Sequence, residues 1–419
     1  MDAPNPINAG DTAWVLTSAA LVLLMTAPGL AFFYGGMVRR KNVLSILMQC
    51  FILLAVISVQ WVLWGYSIAF GPGVPGFLGG LFGGLNWFGL NGVGQTPVDY
   101  AATIPALAFM IFQCMFAVIT PALIIGAFAE RIKFSAFLFF MVLWATFIYD
   151  PIAHMVWSHD GFLCKMGALD FAGGTVVHLN AGIAGLVLAL CMGKRVGYEN
   201  KAMAIHNLPF VVLGASLLWF GWFGFNAGSA LAANGLAANA FVTTNTATAM
   251  AAFTWAVIEW VVSGKPTMFG AATGAVAGLV AITPACGFVD VWGALLVGIT
   301  VSLVCFCAVS AIKAKFGYDD SLDAFGVHGV GGAWGAIATG LFAITSVNSA
   351  GHDGLFHGNP GQVMLQLAAV GTTIVWSGAG TFILYKIVDA TVGMRASAED
   401  EVMGLDLSQH HERAYTIFE

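Results

Sequence analysis

Charge is what this sequence is short of. Asp, Glu, Lys and Arg make up 9% of its 419 residues, whereas a soluble domain carries about 25%. Hydrophobic residues make up 59%, and that balance excludes an ordinary water-soluble domain before any motif is read. The chain also lacks a C-x-x-C pair. Its seven cysteines are scattered at 50, 114, 164, 191, 286, 305 and 307. Cys305 and Cys307 stand two apart, so on a helix they point to different faces. The cysteines read as small apolar fillers. Cys164 and Cys286 are expected near one surface, where a disulfide is conceivable, but no feature of the sequence supports one. The N-terminal stretch MDAPNPINAGD has no basic n-region, so it does not read as a cleaved signal peptide. Nucleotide-binding, zinc-protease and nucleophile-elbow motifs are all missing. Neither an enzyme, a bound cofactor nor a nucleic-acid surface is expected.

What is present is a series of apolar stretches long enough to cross a bilayer, about 20 residues each. Eleven are read: 13–36, 43–70, 104–129, 134–156, 171–192, 207–231, 240–263, 267–286, 289–312, 325–346 and 361–388. The Gly-rich segment 75–92 is too broken for a span and is expected as an outer, half-helical loop. Lys and Arg concentrate in cytoplasmic loops. With this count, fourteen of the fifteen basic residues fall on one side and only Lys165 on the other. The N-terminus is therefore expected outside and the C-terminus inside. Asp2, Asp11, Asp99, Asp150, Asp160, Asp170, Asp290 and Asp353 gather on the outer side. They either form a negative vestibule that concentrates cations or simply mirror the basic side. Gly is abundant, at 52 residues. Gly270, Gly274 and Gly278 repeat at a spacing that lets helix backbones approach. The expected fold is an all-α integral membrane protein, with two inverted five-helix repeats plus a final helix. Residues 1–12 form an outer N-terminus, 13–388 the membrane domain and 389–419 a cytoplasmic tail.

Two histidines stand inside apolar stretches, His178 in FAGGTVVHLNAGIAG and His328 in FGVHGVGGAWG. They fall in spans five and ten, equivalent positions in two five-helix halves, and inverted repeats build their site at the interface between halves. An ionisable residue within a span marks function by default. A single such histidine would more often staple two helices, but a matched pair can donate to and accept from a small polar solute. Bis-histidine haem ligation competes, although the glycine-dense flanks leave little room for a porphyrin. Asp170 lies eight residues before His178, about 12 Å along one helix face at 1.5 Å per residue. It would cap span five, orient a cation, or do both. Phe112 and Phe116 are one turn apart in span three. Trp222, Phe225 and Ser229 share one face of span six, and Trp157 ends span four. Singly these are core or interfacial aromatics. Together they could make an entry site, with ring faces for a small cation, a hydroxyl acceptor and a gate.

At this point the sequence resembles the ammonium transporter family (the Amt/Mep/Rh group), nearest its bacterial Amt branch. The blocks PGLAFFYGGMVRRKNVLS, FAVITPALIIGAFAERIKFSA, YDPIAHMVW, GALDFAGGTVVHLNAG, WFGWFGFNAGSA, ITPACGFV, DAFGVHGVGG and GLDLSQHHERAY carry the likeness in family order. The resemblance implies that Trp157, Phe116 and Ser229 form an outer ammonium recruitment site. It implies that Phe116 and Phe225 close the pore beneath it, and that His178 and His328 line the pore with Trp222 and Phe112 beside them. Asp170 would support structure and cation recognition. It further implies transport of ammonium or ammonia, a homotrimer in the cytoplasmic membrane and a PII-type signal protein at the inner mouth. An ammonium sensor with little flux is the alternative. The loop SHDGFLCKMGA departs from the family pattern and brings His159, Asp160 and Lys165 toward the recruitment site.

Overall fold

A computed structural model describes residues 6–199 and 203–415, and these are all-helical, without a named strand. Asp2, Lys201 and the last four residues of the tail lie outside the described residues. The long helices are α1 (Ala9–Met37), α2 (Arg40–Phe70), α3 (Ala106–Phe128) and α4, which runs unbroken through Phe134–Trp144, Ala145–Tyr149 and Asp150–Trp157. They continue with α5 (Gly174–Met192), α6 (Leu208–Gly228) and α7 (Gly235–Ser263). Next come α8 (Met268–Ile282), α9 (Val291–Phe316), α10 (Phe325–Gly329 then Val330–Phe342) and α11 (Gly361–Thr391). Nine of these are long and apolar enough to cross a membrane, while α8 is a shorter apolar helix. The segment 75–92 holds only the 3-10 turns Phe77–Gly80 and Phe88–Leu90.

Burial separates the inner helices from the outer ones. Nearly every residue of α3 is buried, so α3 forms the centre. By contrast α7, α9 and α11 present exposed Val261, Trp260, Leu303, Val375 and Ile383. An apolar outer surface of this kind suits lipid or a neighbouring subunit rather than water. The glycine stripe of α8 lies against α7: a Cβ on Gly274 would fall 2.5 Å from Trp255 Cβ, and one on Gly278 2.7 Å from Ala251 Cβ. Backbones this close gain dispersion contact that larger side chains would forbid.

The bundle has two distinct ends. The loop face carries 71–105 and 158–173. The basic face gathers the C-terminal end of α3, the loops after α1, α5 and α9, and the tail. There Glu130 accepts from Arg39 at 2.8 Å and from Arg195 at 3.0 Å, and Arg195 reaches Asp319 at 2.9 Å. The tail helices α12 (Ala398–Met403) and α13 (Leu405–His410) are pinned to this face. Asp406 accepts from Ser45 N at 2.7 Å, Leu405 N donates to Asn42 Oδ1 at 2.8 Å, and Glu401 accepts from Val196 N at 2.9 Å.

All seven cysteines are free. Cys286 is fully buried, with its thiol toward the Thr283 carbonyl, and no disulfide joins it to Cys164.

Candidate functional site

α5 begins at Gly174, so Asp170 does not sit on its face; it folds back across the helix start. One carboxylate oxygen accepts from Gly173 N at 2.8 Å and Gly174 N at 2.7 Å, the other from Thr175 N at 2.8 Å and Val176 N at 3.2 Å. Thr175 Oγ1 donates to the second oxygen as well. The carboxylate is thus committed to the free N–H groups of the first turn, where a negative charge also meets the positive end of the helix dipole. Through its backbone carbonyl, Asp170 accepts from Trp157 Nε1 at 2.9 Å and fixes that indole.

Asp320 repeats this arrangement at α10, on the opposite face. Its carboxylate accepts from Ala324 N at 3.1 Å and Phe325 N at 2.8 Å. Each aspartate stands eight residues ahead of a histidine. Each histidine lies in a π-helical turn, Gly174–Leu179 or Phe325–Gly329. Four further π-helical turns, Met25–Leu30, Trp61–Gly65, Ala145–Tyr149 and Ala308–Ile312, occur among the described residues, so it is the matched aspartates and histidines that set these two apart.

The loop face opens into a cavity of about 220 Å³ lined by Phe116, Trp157, Ser229, Gln113, Tyr100 and His159, among others. Trp157 meets Phe116 edge to face, with centroids 6.0 Å apart. The Ser229 hydroxyl donates to Phe225 O at 2.8 Å, which leaves its lone pairs to accept. Gln113 Oε1 has no protein partner. At the cavity floor Phe116 and Phe225 pack with centroids 4.2 Å apart and planes tilted by 32°, and both are fully buried. Phe112 braces Phe116 at 5.0 Å; it supports the ring pair and does not line the cavity.

Beyond the phenylalanines, His178 lies 5.9 Å from Phe225, 5.2 Å from Trp222 and 5.4 Å from His328, its ring within 29° of parallel to each. Trp222 is held by Nε1–H donation to Thr283 Oγ1 at 2.9 Å. Neither nitrogen of His178, nor Nδ1 of His328, meets a protein partner. With centroids only 5.4 Å apart, the two imidazoles are too close for both to ligate an iron set between them, so the haem arrangement does not fit. Past His328 a narrow void of about 10 Å³ continues among Phe33, Tyr34, Met37 and Asp323. The residues singled out in the sequence therefore form one column: cavity, ring pair, histidine pair, void. Thr283, Gln113 and Tyr100 belong to it too. The reading missed them because each is a neutral side chain, and Thr283 and Tyr100 lie on segments remote from the residues they meet.

The chain can be placed among known proteins. The model of the Ammonium Transporter Family matches residues 13–415. An ammonium transporter of Bacillus subtilis (strain 168) is 54% identical across 97% of this chain and 98% of its own length. Ammonium transporter Amt1 of Archaeoglobus fulgidus is 49% identical across 97% and 99%. The crystal structure of Saccharomyces cerevisiae Mep2 matches with a TM-score of 0.88 at 37% identity, covering 95% of this chain and 92% of that one. With a family match over nearly its whole length and relatives about half identical end to end, the chain belongs to the ammonium transporter family.

Proposed function

We propose that the protein takes up ammonium at the loop face and passes it across the membrane as ammonia. One observation carries this reading. His178 holds two unpartnered ring nitrogens in a passage otherwise walled by Phe225, Trp222 and apolar residues. A buried polar atom left unpaired is costly, so the pair is arranged for a guest that can donate and accept. An ion does not suit the passage, because stripping an unpaired charge of water costs on the order of tens of kcal/mol. A small neutral molecule with N–H groups and a lone pair does.

The steps follow from the column. Ammonium enters the loop-face cavity, where the Trp157 ring attracts its charge and Ser229 accepts an N–H. It gives its proton to the outer solution or, where charge moves with each turnover, to a separate route along the histidine pair, and ammonia passes the Phe116–Phe225 pair. His178 and His328 then offer hydrogen bonds along the apolar passage. Asp170 acts by holding Trp157 and the start of α5. Potassium has no proton to lose and is rejected.

The rest of the reading is of the same standing. The chain is a multi-pass membrane protein, and all eleven long helices are taken as spans, in two inverted five-helix repeats plus α11. The basic face is cytoplasmic, which puts the N-terminus outside and the C-terminus inside, in a cytoplasmic membrane. The apolar outer surface supports a homotrimer surrounded by lipid. The tail pinned to the basic face is placed to register a PII-type protein there.

The test is charge movement in proteoliposomes after an ammonium jump, with the His178→Ala/His328→Ala double variant alongside. A pH-sensitive dye inside the vesicles records proton-neutral ammonia entry. Sustained, saturable wild-type transport that the variant loses, or that becomes permeable to potassium, supports the mechanism. Wild-type potassium currents equal to ammonium currents would refute it. A brief signal without entry of ammonia would favour a sensor.

A further inference from the structure

The cavity at the loop face has an imidazole in its wall. His159 stacks on Tyr100 with centroids 4.5 Å apart and planes within 1°. Tyr100 stacks in turn on Phe109 at 5.4 Å, also within 1°. This column is fastened: Tyr100 Oη donates to Phe70 O at 3.1 Å and lies 3.1 Å from Ser158 Oγ. His159 is the outermost layer and is exposed. It shares the cavity with Trp157, Phe116 and Ser229. Its ring is therefore held in place at the mouth, with its edge open to whatever enters.

We infer that His159 is a further specificity-determining residue for cation capture. The inference rests on the proposed uptake of ammonium at this face. A neutral imidazole has one bare nitrogen lone pair and accepts an N–H from ammonium while Trp157 and Ser229 hold the rest of the ion. A protonated imidazolium offers only donors and a like charge.

The neighbouring charges do not take over this role. Tyr100 stays neutral, because burial pushes its phenol up. Asp160 follows His159 in the chain, but it accepts from Gly73 N at 3.0 Å and pairs with Lys165 at 3.3 Å, so its charge is already matched. Asp170 is committed to the start of α5. Cys164 and Asp99 are not part of the cavity wall. His159 is the imidazole in that wall.

The experiment measures the half-saturating ammonium concentration of transport in proteoliposomes of wild type, His159→Phe and His159→Arg. External pH is the same for all three. Phe keeps the stack without the nitrogen, and Arg places a permanent positive charge at the mouth. The half-saturating concentration is expected to rise in His159→Phe, and by roughly fivefold or more in His159→Arg, the size of a screened like-charge contact. If both variants transport ammonium with the wild-type half-saturating concentration, the inference is overturned and the proposed uptake stands. If wild type transports no ammonium, both fall together.

Discussion

Gly182 and Gly332 hold equivalent positions: each stands four residues after one of the paired histidines, and each is pressed against the turn that carries the other one. A Cβ on Gly182 would fall 2.1 Å from Gly329 N, and a Cβ on Gly332 2.7 Å from Leu179 N and 3.0 Å from His178 Cβ. Hydrogen is the only side chain that allows α5 and α10 to cross so closely. The 5.4 Å spacing of the imidazoles is a consequence of that crossing. Because the obstructing atoms are largely backbone, no rotamer change relieves the clash.

Gly182→Ala and Gly332→Ala should each destabilise the protein by about 1–3 kcal/mol, the usual cost of overpacking. Gly182→Ala should be the worse, since its contact is shorter. Gly371→Ala on α11, where nothing lies within 4 Å of the added carbon, should be neutral. Thermal unfolding in detergent ranks the three. Equal midpoints for all three would mean that the crossing is loose.

Replacing Asp170 by Asn tests whether that residue works on the helix or on the cation. Both carboxylate oxygens accept from N–H groups, so an amide NH2 in either place would face donors. The loss should be about 1–3 kcal/mol for groups left unpaired, and stability and transport should fall together. An Asp170→Asn protein with a wild-type unfolding midpoint and no transport would instead assign the carboxylate to the ion.

Parts of this arrangement were legible in the sequence and parts were not, for physical reasons. The apolar segments read correctly to within a few residues because a span must be continuous. The start of α7 was placed late, at 240, because Ala and Asn around it look like loop. Asn234 in fact caps that helix, accepting from Leu236 N and Ala237 N. The histidines stood out because an imidazole is anomalous among apolar residues. Asp320 repeats the spacing of Asp170 and was readable, yet its position near other loop charges hid it. Thr283 and Gln113 could not be read. A threonine or glutamine in an apolar segment carries no signal until the fold brings a partner to it, as for Thr283, or opens a cavity beside it, as for Gln113.

Thr283 should matter as much as many of the aromatics. It is the acceptor for Trp222 Nε1, and Trp222 stacks on His178. Thr283→Val keeps the shape but leaves a buried N–H unpaired, at about 1–3 kcal/mol. Reduced stability and slower ammonium transport should result, and Thr283→Ser should restore both. If the valine variant transports normally, the indole does not position His178.

At the basic face the pH dependence of stability should follow Glu130. Burial alone would push its carboxyl up, but Arg195 and Arg39 outweigh burial and hold it below its usual value. Asp319 is held low likewise: burial opposes, and Arg195 and Arg131 prevail. A carboxylate with a depressed folded pKa contributes stability above its unfolded value, about 4 for these groups, and loses it as pH falls through the lower folded value. The contribution of these two carboxylates should therefore be flat near neutrality and fall away below about pH 4. Glu130→Gln strands Arg39 and Arg195 without their shared anion, so it should be less stable at pH 7 by about 3–5 kcal/mol, as for a broken buried pair. It should also lose less on acidification, with Asp319 supplying the remaining slope. Thermal midpoints from about pH 7 to about pH 3.5 provide the comparison. If the Glu130→Gln curve lies on the wild-type curve at every pH, the carboxylate is not bonded to these arginines in solution.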